Sequence, residues 1–162
     1  MLRQTHEIKP GEVFLFHAAA GGVGLIACQW AKALGAKLIG TVGSDEKAQL
    51  AKAAGAWATI NYRTENIAQR VAELTEGEKV GVVYDSVGKS TWEASLDSLK
   101  RRGLLVSFGN ASGPVTGVNL GILNQKGGDL CHPPFTECLC RQPARTGKRQ
   151  PATLFNDYQW GD

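Results

Sequence analysis

The sequence predicts an α/β fold in which a parallel sheet is covered by helices on both faces. Short β-branched and apolar runs alternate with amphipathic stretches from Val13 to Gly109. Such alternation implies right-handed crossovers between parallel strands. The first run, residues 13–18, is almost continuously apolar, which is typical of a strand buried on both faces.

The first half of the chain contains three strands and two helices in this interpretation. Strands are predicted at residues 13–18, 37–42 and 58–60. The helix after the first strand has apolar residues at helical spacing and ends at Gly35: Val23, Ile26, Ala27, Trp30, Ala31 and Leu34. The second helix begins after Ser44, a good N-cap followed by Asp45 and Glu46, and ends at Gly55.

The second half continues the alternation until about residue 109. A helix is predicted over roughly residues 65–74 and another over residues 91–99. Strands are predicted at residues 80–86 and 104–108. The resulting five-stranded sheet is of the doubly wound kind.

The pattern ends near Gly128. Residues 129–162 hold three of the four cysteines and four of the six prolines, without helical or strand periodicity. We therefore predict a domain over residues 1–128 and an aberrant, disordered tail over residues 129–162. Because the composition switches in one step, a change of translation frame near Gly128 is the preferred explanation. The spacing of Cys131, His132, Cys138 and Cys140 matches no usual structural-zinc pattern, so no metal is expected.

Composition excludes several classes of function. The net charge of +3 is small and scattered, which argues against nucleic acid or an anionic membrane as partner. No apolar run is long enough for a transmembrane helix, and the first ten residues do not resemble a signal peptide. Cys28 lies in an apolar helix and is expected to be a buried thiol, and a cytoplasmic location follows as the default.

A glycine-rich turn joins the first strand to the first helix. The turn contains Ala19, Ala20, Gly21, Gly22, Val23 and Gly24. Ala19, Gly21 and Gly24 occupy the three small-residue positions of a Rossmann dinucleotide fingerprint. Amides from about Gly22 onward would point at phosphate oxygens, assisted by the positive end of the helix dipole. The alternative is a glycine-rich turn without a ligand.

The end of the second strand favours NADP(H) over NAD. NAD-specific folds carry an acid there for the ribose hydroxyls, but this strand runs through Val42 and Gly43 into Ser44. Ser44 can donate a hydrogen bond, and Lys47 can reach a 2′-phosphate. The alternatives are that Ser44 is only a cap and Lys47 only a solvated lysine, and neighbouring Asp45 and Glu46 keep them open.

Several segments resemble the zeta-crystallin-like NADPH:quinone oxidoreductases, a zinc-independent branch of the medium-chain dehydrogenase/reductase superfamily. They are AAAGGVGLIACQWAKALGAKLIGTVGS, INYR, VVYDSVG and RRGLLVSFGNASGPVTG, within residues 1–128. The resemblance implies that the pyrophosphate lies on Ala20, Gly21, Gly22 and Val23. It places the 2′-phosphate at Gly43, Ser44 and Lys47, the adenosine at Tyr62, and the nicotinamide half along Val87, Phe108, Gly109 and Asn110.

Packing alternatives accompany some of these assignments. Tyr62 and Phe108 could serve packing alone, and Asp85 is expected to be a turn or capping residue rather than a catalytic one. The resemblance implies hydride transfer from NADPH to a quinone or related α,β-unsaturated carbonyl, with no catalytic residue in this chain.

The chain departs from the family in two respects. The catalytic domain that normally precedes this unit is not found before Val13, so we expect little quinone reductase activity from this polypeptide alone. The sixth strand that completes the family's sheet and dimer edge is expected to be missing, which would leave an unpaired strand.

Two other functions remain as alternatives. One is a module that binds or senses NADPH without its own catalysis. The other is an S-adenosylmethionine methyltransferase, which shares the glycine-rich turn but would favour an acid at the end of the second strand.

Overall fold

The computed structural model describes residues 2, 4–118, 121–122 and 129–131. Helices and strands alternate in the order β1 (Val13–Phe16), α1 (Gly22–Ala33), β2 (Lys37–Val42), α2 (Asp45–Ala54), β3 (Ala58–Asn61), α3 (Ile67–Leu74), β4 (Val80–Asp85), α4 (Trp92–Ser98), β5 (Leu99–Ser107) and β6 (Asp129–Cys131).

The strands form one parallel sheet in the order β3-β2-β1-β4-β5-β6. β1 lies at the centre, and successive strands leave it first on one side and then on the other. The loops that follow β1 and β4 therefore diverge and open a crevice at the carboxyl ends of these strands, where doubly wound folds bind ligands. This topology confirms the predicted Rossmann-type fold.

The core lies on both faces of the sheet. Phe14, Phe16 and Tyr84 pack on one face with residues of α1 and α2. Leu15 and Val83, which alternate with them along β1 and β4, pack on the other face with residues of α3 and α4. This alternation explains why the predicted first strand is apolar at consecutive positions.

The ends of α1 and α2 lie where the sequence places them. Gly35 has a positive φ of 68° after α1, and Gly55 has one of 116° after α2. At the start of α2, the Ser44 hydroxyl accepts a hydrogen bond from the Lys47 amide at 3.3 Å. Cys28 is fully buried in α1, as predicted, and burial raises the pKa of its thiol to about 11.

Several predicted boundaries differ from the structure, and β1 ends at Phe16 rather than at residue 18. α3 begins at Ile67 rather than near residue 65 because Asn66 caps it, accepting from the Gln69 amide at 3.0 Å. β5 begins at Leu99, five residues before the predicted strand, since Leu99 already pairs with Val80 across a register shift. α4 correspondingly ends at Ser98.

The expectation that the sheet lacks a sixth strand is wrong. β6 pairs in parallel with residues 104–106 of β5. Ladder hydrogen bonds use only backbone groups, so a three-residue segment can form them without the apolar alternation on which the prediction relied. β6 falls inside the predicted tail, and the predicted disorder beyond it concerns residues outside those described. The boundary at residue 128 stays a prediction.

Two further observations concern the described residues only. None of their helices is both long enough and apolar enough to cross a bilayer. They also contain no group of three or more histidine, cysteine or acidic residues that could hold a metal ion.

Candidate functional site

The glycine-rich turn leads from the centre of the sheet into α1. The Gly21 amide donates to the Ala18 carbonyl at 2.9 Å, which closes a tight turn directly after β1. The Ala19 amide donates to the Thr41 carbonyl at 3.0 Å and fixes the turn to β2. Ala18 has a φ of 56°, in the left-handed region that non-glycine residues seldom adopt. The backbone is thus held in an unusual conformation at the crevice.

The first turn of α1 presents free amides to this crevice. Gly22 and Val23 are exposed, Ala20 is half-buried, and the N-cap Gly21 offers no side-chain partner. No acidic residue lies in the first turn. The amides of residues 22–24 precede the first internal hydrogen bonds of the helix and carry its positive partial charge. This arrangement suits an anion.

The glycines of the turn have different physical roles. A methyl group on Gly24 would lie 2.5 Å from the Ala18 carbonyl oxygen, so only glycine lets α1 pack against the end of β1. A methyl group on Gly22 would meet no protein atom within 4 Å. Gly24 is therefore required by packing, whereas Gly22 borders open space in which a ligand can approach the backbone.

The loop after β2 lies beside this turn. Gly43 is buried beneath Tyr62, because a methyl group on Gly43 would lie 2.5 Å from the Tyr62 hydroxyl oxygen. The Tyr62 side chain remains 52% exposed and forms a wall at the carboxyl end of β3. Ser44 is half-buried and Lys47 exposed. The structure thus brings the four residues predicted for the adenosine end together at one place.

Two acidic residues, Asp45 and Glu46, lie next to the residues predicted for the adenosine end. The hydrogen bond between the Ser44 hydroxyl and the Glu46 side chain lowers the pKa of that carboxyl, with help from a backbone hydrogen bond. Asp45 instead accepts a hydrogen bond from the Asn61 side-chain amide at 3.1 Å and is directed toward β3. Lys47 has no ion pair within the described part of the chain. Its ammonium group is thus available for an anionic ligand.

The loops after β4 and β5 form the opposite wall of the crevice. The Ser112 amide and hydroxyl both donate to the Val87 carbonyl, at 2.8 and 2.7 Å. Gly109 packs against the Ser86 backbone so closely that a methyl group would lie 2.7 Å from the Ser86 carbonyl oxygen. These contacts hold half-buried Val87 and Gly109 and exposed Asn110 along one rim.

Phe108 contributes to packing. Its ring centroid lies 5.7 Å from that of Phe16, and the side chain packs against the core on the α1 side of the sheet. It is half-buried, so part of the side chain also borders the rim. Phe108 therefore has a packing role, and its contact with a ligand stays a prediction.

A chain of hydrogen-bonded buried polar side chains that no sequence motif indicated lies under the crevice. The His17 ring bonds to Thr41 Oγ1 at 3.1 Å and to Ser95 Oγ at 2.9 Å. The Ser95 hydroxyl donates to Asp85 Oδ2 at 2.7 Å. Asp85 also accepts from the Thr91 hydroxyl and from the backbone amides of the turn that follows β4. These hydrogen bonds link the residue after β1 to β2, α4 and β4.

The donors along this chain can be assigned. Since Ser95 donates to Asp85, its oxygen accepts from His17, which places the ring proton on Nε2. Nδ1 then accepts from the Thr41 hydroxyl, whose oxygen in turn accepts from the Ala18 amide at 3.2 Å. Every group is satisfied with His17 as the neutral Nε2–H tautomer, a proton position inferred from the hydrogen bonds.

The neutral His17 should make stability depend on pH. Burial lowers the pKa of its imidazole below the ordinary 6.5, and the Asp85 charge opposes this effect only in part. Below pH 6.5 His17 is therefore protonated in the unfolded chain while it is still neutral in the folded chain. The free energy of unfolding should fall as pH drops from about 7 to about 5, by at most ~1.4 kcal/mol per pH unit from this residue.

Urea unfolding at both ends of that range measures the effect. His17→Gln removes the titrating group and keeps a side-chain amide donor, so its free energy of unfolding should change less over the range. Equal slopes for the wild type and His17→Gln would contradict the assignment.

Comparisons with known proteins agree with this geometry. A family model described as zinc-binding dehydrogenase matches residues 22–132. The chain is 80% identical over 127 residues to quinone oxidoreductase of Salmonella typhimurium and 75% identical over the same length to quinone oxidoreductase 1 of Escherichia coli. In both cases 78% of this chain is covered, and the chain spans 39% of the relative's length.

Solved structures show the same likeness. The crystal structure of Escherichia coli quinone oxidoreductase complexed with NADPH superposes with a TM-score of 0.81 at 72% sequence identity. The match covers 82% of this chain and 41% of that one. The crystal structure of 2-haloacrylate reductase matches with a TM-score of 0.79 at 46% identity, over 82% of this chain and 42% of that one.

Proposed function

Because the chain belongs to the zinc-binding dehydrogenase family of the medium-chain dehydrogenase/reductase superfamily, we propose that it is the NADP(H)-binding part of an oxidoreductase. The proposed reaction of the whole protein transfers a hydride from NADPH to a quinone or related α,β-unsaturated carbonyl. A cytoplasmic location is part of the same proposal.

One observation carries the proposal. The amides of the exposed residues Gly22 and Val23 lie at the positive end of α1, beside the crevice between β1 and β4. The absence of a protein atom within 4 Å of a methyl group on Gly22 leaves the space that a pyrophosphate would fill. Ala20 and Gly21 complete the turn on which it would lie. The cradle therefore fits the phosphate bridge of a dinucleotide.

The adenosine end is proposed to lie over the loop after β2. Lys47 supplies a positive charge and Ser44 a hydroxyl for the 2′-phosphate, while Tyr62 and the backbone of Gly43 flank the adenosine. Glu46 is a competing charge, because its carboxylate bonds to the Ser44 hydroxyl. We propose that Lys47 outweighs it through its unpaired ammonium, which makes the preference for NADPH over NADH moderate rather than absolute.

The nicotinamide end is proposed to lie along Val87, Phe108, Gly109 and Asn110. The cofactor supplies the hydride when bound, and the protein supplies position and exclusion of water. The paired loops after β4 and β5 would orient the ring, since their backbones are fixed to each other by hydrogen bonds. No residue of this chain is proposed as an acid or base.

Calorimetric titration with NADPH and with NADH tests the proposal, and Lys47→Gln sharpens it. We expect wild type to bind both and to prefer NADPH. Loss of the Lys47 charge should weaken NADPH binding roughly five- to tenfold, since one charge-assisted contact contributes about 1–1.4 kcal/mol. The affinity for NADH should change less than twofold.

Lys52→Gln is the matched control, because Lys52 is also exposed on α2 but lies in its last turn. It should leave both affinities unchanged. A wild-type chain that is folded yet binds neither nucleotide would refute the proposed function. Equal weakening by the two substitutions would refute the role of Lys47 alone.

A further inference from the structure

The two walls of the crevice are joined beneath its floor by one chain of hydrogen bonds. At one end, Thr41 Oγ1 accepts from the Ala18 amide, at the start of the glycine-rich turn. At the other end, Asp85 Oδ1 accepts from the amides of Val87 and Gly88 at 2.8 and 3.0 Å. These ends are about 70 residues apart in sequence, and His17 with Ser95 connects them.

His17 is the central member of this chain. It is fully buried, as is Ser95, and Thr41 and Asp85 are 1% and 2% exposed. The residues of β1 that precede His17, residues 14–16, are apolar core residues. A leucine could fill much of the same volume, but it could neither accept a hydrogen bond from Thr41 nor donate one to Ser95. The imidazole supplies a direction as well as volume.

We propose that His17 is a positioning residue that fixes the glycine-rich turn and the turn at Val87 relative to each other. This inference rests on the proposed function, in which the first turn holds the pyrophosphate and the second borders the nicotinamide. A dinucleotide that spans both walls then binds to a site whose two halves already have the correct relative position. A ligand that contacts the adenosine side alone gains little from this connection.

Three variants separate this role from simple support of the core. His17→Leu removes both hydrogen bonds. His17→Gln keeps a side-chain amide that can donate to Ser95 and an oxygen that can accept. Val71→Ala truncates a buried residue of α3 that belongs to the opposite core and is not part of the chain. Val71→Ala is the control for a general loss of stability, and the free energy of unfolding of each variant is measured so that the two losses can be compared.

Amide hydrogen exchange in the unliganded protein is the first measurement. His17→Leu should accelerate exchange at Val87 and Gly88 roughly tenfold relative to the Ala48 amide in α2, which bonds to the Ser44 carbonyl. Val71→Ala should not change that ratio, and His17→Gln should restore most of the wild-type value. An unchanged ratio in His17→Leu would overturn the inference, as would an equal increase in Val71→Ala.

Ser95→Ala is the substitute if His17→Leu does not fold, because it breaks the same link at its next member and leaves His17 in place. It should accelerate exchange at Val87 and Gly88 in the same way. A ratio equal to that of the wild type would overturn the inference just as directly.

Binding is the second measurement, with NADPH and adenosine 2′,5′-bisphosphate as the two probes. His17→Leu should lower the affinity for NADPH roughly tenfold and that for the bisphosphate less than threefold. Equal losses would contradict a positioning role. If the wild type bound neither probe, the proposed function would fail, and the exchange measurements would still decide whether His17 joins the two turns.

Discussion

Gly24→Ala is expected to abolish the native fold or to lower the free energy of unfolding by roughly 3–5 kcal/mol. The added methyl group would lie 2.5 Å from the Ala18 carbonyl oxygen and 2.6 Å from two backbone atoms of Ala19. Backbone atoms cannot rotate away as a side chain can, so α1 would have to move from the end of β1. Urea unfolding followed by circular dichroism measures the loss.

Gly22→Ala is the matched control, two residues away in the same helix. Its methyl group would meet no protein atom within 4 Å, and alanine has a higher helix propensity than glycine. Stability should stay the same or rise. Binding of NADPH should nevertheless weaken at least tenfold, because the methyl group occupies the proposed path of the pyrophosphate. A stable Gly24→Ala variant, or a Gly22→Ala variant that binds normally, would contradict these assignments.

Asp85→Ala is expected to cost about 3–5 kcal/mol of the free energy of unfolding. The Asp85 carboxylate is 2% exposed and accepts from the hydroxyls of Thr91 and Ser95 and from the amides of Val87 and Gly88. Removing it leaves several buried donors without an acceptor. Thermal and urea unfolding, at a pH near 7, measure the effect.

Two other variants show whether this loss is specific. Asp85→Asn retains one oxygen for the backbone amides but places a donor against a hydroxyl, so its loss should be smaller than that of Asp85→Ala. Glu93→Ala removes an exposed acid from the first turn of α4 and should change stability by less than about 0.5 kcal/mol. A loss in Asp85→Ala no larger than that in Glu93→Ala would show that the buried chain contributes little.

Much of the fold could be predicted because its signals are local. The continuous apolar run at residues 13–18, the N-cap Ser44 and the terminal Gly55 each specify a structure within a few positions. β6 could not be predicted in this way, since a three-residue segment can pair through its backbone without the apolar alternation on which strand prediction relies. The early start of β5 could not be predicted either, because its pairing with Val80 depends on a register shift that no local pattern records.

The structure brings together the surface residues that sequence motifs single out, whereas no motif pointed to the buried hydrogen bonds beneath them. Gly22, Gly43 and Lys47 belong to short motifs that follow strands, and parallel strands bring such loops to one edge of the sheet. The contact between His17 and Ser95 spans 78 positions of the sequence, and neither residue lies in a known motif. The available signal was a single histidine inside an apolar strand, which indicates a buried polar partner without identifying it.

The close approach of the glycine-rich turn to β2 has a consequence for how this sequence can vary. A methyl group on Gly40 would lie 2.4 Å from the Ala19 methyl group, which itself is fully buried. Only one of the two positions can therefore carry a β-carbon. Substitutions at positions 19 and 40 are therefore coupled: a larger residue in the strand becomes possible only after the turn has lost its own side chain.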